Sequence, residues 1–261
     1  MAFQKIYTPT GRRARIAQLM SGSGTNVIEV LKQELKMGEN CPYRTVMVMT
    51  DDKRSNARKI ASEYGVPPTE MDIRDFQEKM HLGRRLTLAT ESHRRARDEY
   101  SERLGKVLSA YQVDFCVFGG FEPLTNIARY FPCLNVHPGD LTYMKDGKRH
   151  LVGLHTAPIQ RAIDENVGYV RSCVILAMPY TGAGGNMDDG PILGLGPKLS
   201  YEDERDAKKI QNALKEASDW KILPAVVLAA AKGEIEVDYK SNQARGIIVM
   251  DLERRMSESR R

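Results

Sequence analysis

The chain has 261 residues, a formal charge of +5 and 41% hydrophobic residues, enough to bury one large core or two small ones. No apolar run reaches bilayer length, and the opening MAFQKIYTPTGRRARIAQLM lacks an apolar stretch followed by a small-residue cleavage site, so neither a membrane span nor a secretory signal is expected. The basic clusters HRRARDEYSER, DGKRH and ERRMSESRR are interleaved with acids and poor in stacking aromatics, which argues against nucleic acid and suits a small anionic substrate.

The first apolar run, residues 14–22, reads as a buried strand ending in glycine. After GSGTN, Val27, Ile28, Leu31 and Leu35 recur at helical spacing up to Gly38. Residues 44–51 form a second strand and 55–65 a second helix closed by Gly65. This β-α-β-α order predicts a parallel sheet with right-handed crossovers. Residues 72–111 are polar and helix-prone, with Gly83 dividing them. Strands follow at 113–120 and 134–137, then a helical middle within 153–168. Residues 171–178 and 190–200 read as a strand pair around a glycine-rich loop. Ser200 and Asp203 resemble a cap for a helical region over 203–232, with Pro224 imposing a kink or break and Gly233 ending it. Residues 1–238 are expected to form one domain, with halves at about 14–133 and 134–238. A short strand and a polar, frayed tail are expected over 239–261. The cysteines Cys41, Cys116, Cys133 and Cys173 are scattered without a CxxC pair, which predicts reduced thiols rather than disulfides or a zinc site.

Three segments carry candidate chemistry. SGSGTN (21–26) lies where a strand turns into a helix, so its glycines permit close approach and the unpaired amides at the helix start suit a phosphate. A tight turn capped by Thr25 or Asn26 explains the same residues equally well. In LNVHPGDL (134–141), Asn135 and His137 are two apart, so on a strand they face one side. Asparagine can donate to a developing oxyanion and histidine can exchange a proton near neutral pH; the pair could equally brace the turn at Pro138. In TGAGGNMDDGPIL (181–193), Asp188 could support a charged His137, although Asp-Gly is also a common turn pair, and taken alone the turn reading is the stronger.

Taken in order, SGxGxN, NxHP, GLHT and DxGPI resemble the phosphoribosylglycinamide formyltransferases, folate-dependent enzymes of purine biosynthesis, from about residue 15 to 237. The resemblance implies a doubly wound, mostly parallel α/β sheet of Rossmann-like type, with a C-terminal part covering the folate site. It implies Asn135, His137 and Asp188 as the catalytic set, Gly24, Thr25 and Asn26 at the substrate phosphate, and Asp219 near the sugar. The co-substrate would be 10-formyltetrahydrofolate, with no metal. The expected partners are a small phosphorylated amine and folate, with no nucleic acid or membrane, in the cytoplasm; a homodimer is allowed. The chain departs from the pattern after GGF, where Glu122-Pro123-Leu124 replaces the usual Met-Arg-Ile, and in longer segments after Pro138 and before Asp188. A formyl-folate hydrolase, or a formyltransferase with another phosphorylated amine acceptor, is the alternative. Formyltransferases acting on nucleotide sugars or methionyl-tRNA rank lower because they usually differ at the first loop. A non-catalytic binding protein fits less well because the Asn-His-Asp set is intact. A nicotinamide-dependent oxidoreductase fits less well because the dinucleotide fingerprint lacks its third glycine.

Overall fold

The computed structural model describes residues 2–256. Its main sheet has eight strands, numbered here in chain order: β1 (Ala14–Met20), β2 (Tyr43–Thr50), β3 (Pro68–Glu70), β4 (Phe115–Phe118), β5 (Cys133–His137), β6 (Cys173–Leu176), β7 (Ile192–Leu195) and β8 (Ile248–Val249). The helices are α1 (Thr25–Met37), α2 (Ala57–Tyr64), α3 (Ile73–Lys79), α4 (Glu91–Ala110), α5 (Ala157–Asp164), α6 (Ala207–Leu214) and α7 (Trp220–Ala231).

The strand order is β8-β7-β6-β5-β4-β1-β2-β3. Strands β3, β2, β1, β4 and β5 run parallel. Strand β6 is antiparallel to both β5 and β7, so the sheet is parallel except at this strand. The chain winds outward from β1 to β3, then returns to place β4 on the other side of β1. The order therefore reverses between β1 and β4, and at such a point the two connections diverge and leave a crevice at the strand ends.

The two-residue period of the strands sorts the core. Ile16, Phe115, Val117, Leu134 and Val136 join Val30 of α1 and Leu223, Val226 and Val227 of α7 in one cluster. The intervening residues Ala17, Cys116 and Phe118 meet Tyr100, Leu104 and Leu108 of α4 in another. Helices thus cover both faces, as a doubly wound sheet requires. All four cysteines are free and buried; Cys133 Sγ donates to the Phe131 carbonyl and Cys173 Sγ accepts from the Leu141 amide, both at 3.3 Å. Among the described residues, no helix is long and apolar enough to cross a membrane.

Several boundaries differ from the sequence reading. Residues 190–200 form two strands: β7 in the main sheet, and Lys198–Ser200 in a separate sheet with Tyr169–Val170 and Glu253–Arg255. The C-terminal helical region begins later and is interrupted. Asp206 caps α6, accepting from the amides of Lys208 and Lys209 at 2.8 and 3.2 Å, so Ser200 closes a strand instead. The break falls at a widened π turn, Lys215–Asp219, just ahead of α7. Pro224 has no N–H, and its ring crowds the carbonyl four residues earlier, at Trp220, so the disturbance appears before the proline rather than at it. Between β5 and α5 the added residues make a small hairpin, Met144–Lys145 with Lys148–Arg149. Past Asp238 the chain pairs Gln243–Arg245 with Glu236–Asp238 and supplies β8. The expected frayed end, residues 257–261, lies outside the described residues.

Candidate active site

The carboxyl ends of β1 and β4 are tied together. The Gly119 amide donates to the Leu19 carbonyl and the Ser21 amide to the Gly120 carbonyl, both at 2.9 Å. A Cβ on Gly119 would lie 2.8 Å from Val27 Cγ2, so glycine allows β4 to end against the first turn of α1. Gly24 caps α1 in the left-handed region, at φ 70°, and no side chain caps the helix. The first-turn amides are thereby left without an intrahelical partner or a side-chain substitute, which leaves them open to an anion. The Cβ that Gly24 lacks would point away from the crevice, into Ile60 and Met20 at 2.5–2.8 Å. The need for glycine there arises behind the loop, in the core.

This helix start opens into a cavity of about 310 Å³, lined by Gly22 to Asn26 as well as by Asn135, His137, Asp188 and Asp219. Leu134 and Val136 of β5 pack into the core beneath α7, so Asn135 and His137 share the opposite face of the strand. Asn135 is half-buried, and among the described residues its amide has no side-chain hydrogen-bond partner.

His137 is 2% exposed, and both ring nitrogens face acceptors. Nδ1 lies 3.4 Å from Asp188 Oδ1, and Nε2 lies 2.8 Å from the carbonyl oxygen of Leu151. A ring so placed can donate from both nitrogens.

Asp188 is held from several sides. The Gly153 amide donates to Oδ2 at 2.7 Å, and Arg149 Nη1 donates to the backbone carbonyls of Asp188 and Gly190 at 2.5 and 2.8 Å. Burial pushes the Asp188 carboxyl up, but His137, the Gly153 amide and Arg149 together pull it below the usual carboxylate value. Its neighbour Asp189 is exposed, and its carbonyl accepts from Asn242 at 2.5 Å. The two aspartates of the DDG run therefore occupy different environments, one buried beside His137 and one exposed.

Asp219 ends the π turn and is 6% exposed. It accepts from the Ser172 hydroxyl and from Asn26 Nδ2, the latter at 3.4 Å. Burial pushes its carboxyl up to about 6, against the pull of Ser172 and Asn26. Asn26 Oδ1 is buried without a partner and belongs to the same cavity wall.

Several lining residues escaped the sequence reading. Lys208, Gln211 and Lys215 line the cavity from α6 and the turn after it. Their spacing of three and four residues was the available signal, since it puts them on one helix face. Arg149 stood in the DGKRH cluster, which the sequence reading took only as part of a mildly positive field. Phe121, Leu124, Ala177, Met178 and Met187 add an apolar part to the lining, with Thr125 Oγ1 buried and unpaired beside Leu124 in the chain. Among the described residues no group of three or more His, Cys, Asp or Glu side chains is placed to hold a metal.

No family model matches the chain, and no curated protein matches it. Solved structures do. Glycinamide ribonucleotide transformylase 1 from Symbiobacterium toebii aligns with a TM-score of 0.67 at 24% identity, over 90% of this chain and 95% of that one. Phosphoribosylglycinamide formyltransferase from Anaplasma phagocytophilum aligns at 0.66 and 18%, over 94% and 100%. The Coxiella burnetii enzyme, solved in complex with CHES, aligns at 0.67 and 16%, over 93% and 100%. The chain has the Rossmann-like α/β fold of these proteins along nearly its whole length.

Proposed function

We propose that the protein transfers a formyl group from 10-formyltetrahydrofolate to the primary amine of a small phosphorylated acceptor, with glycinamide ribonucleotide the foremost candidate. One observation carries the reading: the uncapped start of α1 and the set Asn135, His137 and Asp188 line a single cavity. A phosphorylated amine bound through its phosphate at Gly24, Thr25 and Asn26 would be tethered within the chamber that holds the reacting groups. Lys208 and Lys215 add positive charge to that chamber, and the Asp219 carboxylate and the unpaired Asn26 Oδ1 in its lining suit the hydroxyls of a sugar. The apolar part of the lining, with the orphaned Thr125 hydroxyl, suits a flat heteroaromatic ring with a polar edge, which is the chemistry of a folate.

The acceptor nitrogen attacks the formyl carbon and forms the new C–N bond, and the carbonyl oxygen becomes an oxyanion. Asn135 donates to it from a side chain that no other group occupies. His137 is the second donor, and Asp188 balances its charge. Because His137 Nε2 rests on the Leu151 carbonyl, the ring must leave that contact to meet the oxyanion. Catalytic hydrogen bonds commonly tighten only when the substrate is bound. Collapse of the intermediate breaks the bond to the folate nitrogen, and the proton lost by the amine reaches that nitrogen through water beside Asp188.

The test is competition. Inorganic phosphate should raise the acceptor KM in proportion to its concentration while leaving the donor KM unchanged. Equal effects on both, or none on either, would remove the phosphate assignment.

A further inference from the structure

The apolar lining given above to the folate is fastened to α4 by a side-chain clasp that none of the site motifs includes. Asn126 follows the 121–125 loop, which supplies part of that lining, and is 2% exposed. Its Oδ1 accepts from the Tyr180 amide at 3.1 Å, and its Nδ2 donates to Asp98 Oδ1 at 2.5 Å. Its own amide donates to Ser101 Oγ at 2.9 Å. The Tyr180 hydroxyl reaches the same Asp98 oxygen at 3.2 Å, and Arg97 Nη1 donates to the Leu124 carbonyl at 2.5 Å. Burial, with Asp98 beside it, pushes the Tyr180 phenol up to about 12, so it remains a donor across the working range.

We infer that Asn126 and Asp98 are positioning residues. They hold the loop of residues 177–187, between β6 and Asp188, against the 121–125 loop, and so set the shape of the donor side of the cavity. The geometry limits the alternatives. Asn186 already closes the far part of that loop on itself, accepting from the Thr181 amide at 2.9 Å and donating to the Pro179 carbonyl at 3.0 Å. A loop that is internally braced moves as a unit, and its tie to the neighbouring loop passes through Tyr180 to Asn126. Gly184 seats the unit, since a Cβ there would lie 2.4 Å from Leu124 Cδ1. Without the clasp, Met178, Tyr180 and Met187 would lose their register with Leu124, while the α1 end of the cavity, built on other elements, would keep its form.

The clasp does not depend on what the cavity binds, but its effect on a folate rests on the reading above. Two measurements keep them separate, made on the intact chain and on Asn126→Ala, Asp98→Ala and Asp98→Asn. The first is amide hydrogen exchange, with β1 as the internal reference. Exchange at the Tyr180 amide, which donates into the clasp, should quicken about tenfold in both alanine variants, the scale of one or two lost hydrogen bonds, while β1 is unchanged. Asp98→Asn keeps an acceptor oxygen and should stay near the parent. The second is binding of 5,8-dideazafolate, an unreactive folate mimic, and of inorganic phosphate. The mimic should bind about tenfold more weakly to the alanine variants, with phosphate affinity retained. Unchanged exchange at the Tyr180 amide, or an equal fall in both affinities, would overturn the inference. If the parent chain bound phosphate but no folate mimic, the functional reading would fail, and the exchange result would still decide the clasp. Asp98 has a side chain 46% exposed, so its alanine variant remains informative should Asn126→Ala fail to fold.

Discussion

His137 stands between two acceptors, and only one of them, Asp188, belongs to the reaction proposed here. His137→Ala and Asn135→Ala should lower kcat by about a hundredfold to a thousandfold, because an oxyanion exists only after attack, and should leave substrate affinities nearly intact. Asp188→Asn should be similarly severe, whereas Asp189→Asn should be mild because that side chain is exposed. Steady-state kinetics on the four variants, with melting curves to confirm folding, checks the contrast. Near-normal kcat in the His137 and Asp188 variants would contradict it. Asp219 yields a second prediction. Its carboxyl rises from 3.8 to about 6 through burial, so the folded chain keeps this proton where the unfolded chain has lost it. The group's contribution to stability therefore falls as pH rises through that interval, and the cost is complete above it. Asp219→Asn should be more stable than the parent by up to about 3 kcal/mol at pH 7.5, with no gain at pH 3. Urea titrations at the two pH values test this, and equal differences at both would refute it. At this scale the sequence was legible where spacing decides orientation, as for Asn135 and His137. It was silent where a long-range partner decides, as for the Arg149 bond to the Asp188 carbonyl.

The elements show why glycine is required at only some positions of the first loop. A side chain at Gly24 would carry both a positive φ and a collision with Ile60 and Met20, whereas a Cβ on Gly22 meets nothing within 4 Å. Gly24→Ala should cost about 2 kcal/mol of stability and raise the acceptor KM more than the donor KM. Gly22→Ala should stay within about 0.5 kcal/mol of the parent. Equal losses for the two would mean that the loop is set by something other than this packing. The alternating strands and the glycine-closed helices were readable because their periods are local. The π turn was not, because the ring of Pro224 acts on the turn before it. Nor was β3, three residues beginning with a proline at the sheet edge, too short for a period to be visible.

At the scale of the molecule, the doubly wound sheet was predictable from the order of strands and helices, and a short strand was expected past Asp238, but its place at the edge of the main sheet was not. Ile248 and Met250 pack against the main core, β8 extends the sheet, and Asn242 holds the carbonyl of Asp189. We therefore propose that the folding unit continues past Asp238. A chain ending at Asp238 should melt about 5 °C lower, roughly 2 kcal/mol for a domain of this size, and calorimetry decides it; an unchanged melting temperature would restore residues 239–256 to the role of a tail. The central claim concerns chemistry in one shared cavity. Its most direct test follows 10-formyltetrahydrofolate and glycinamide ribonucleotide together by mass spectrometry, counting formylated amine and free formate. The account predicts one formylated amine per folate consumed, and no consumption when the acceptor is withheld. Formate released at the same rate without acceptor, or formylated amine still absent while folate is consumed, would contradict it.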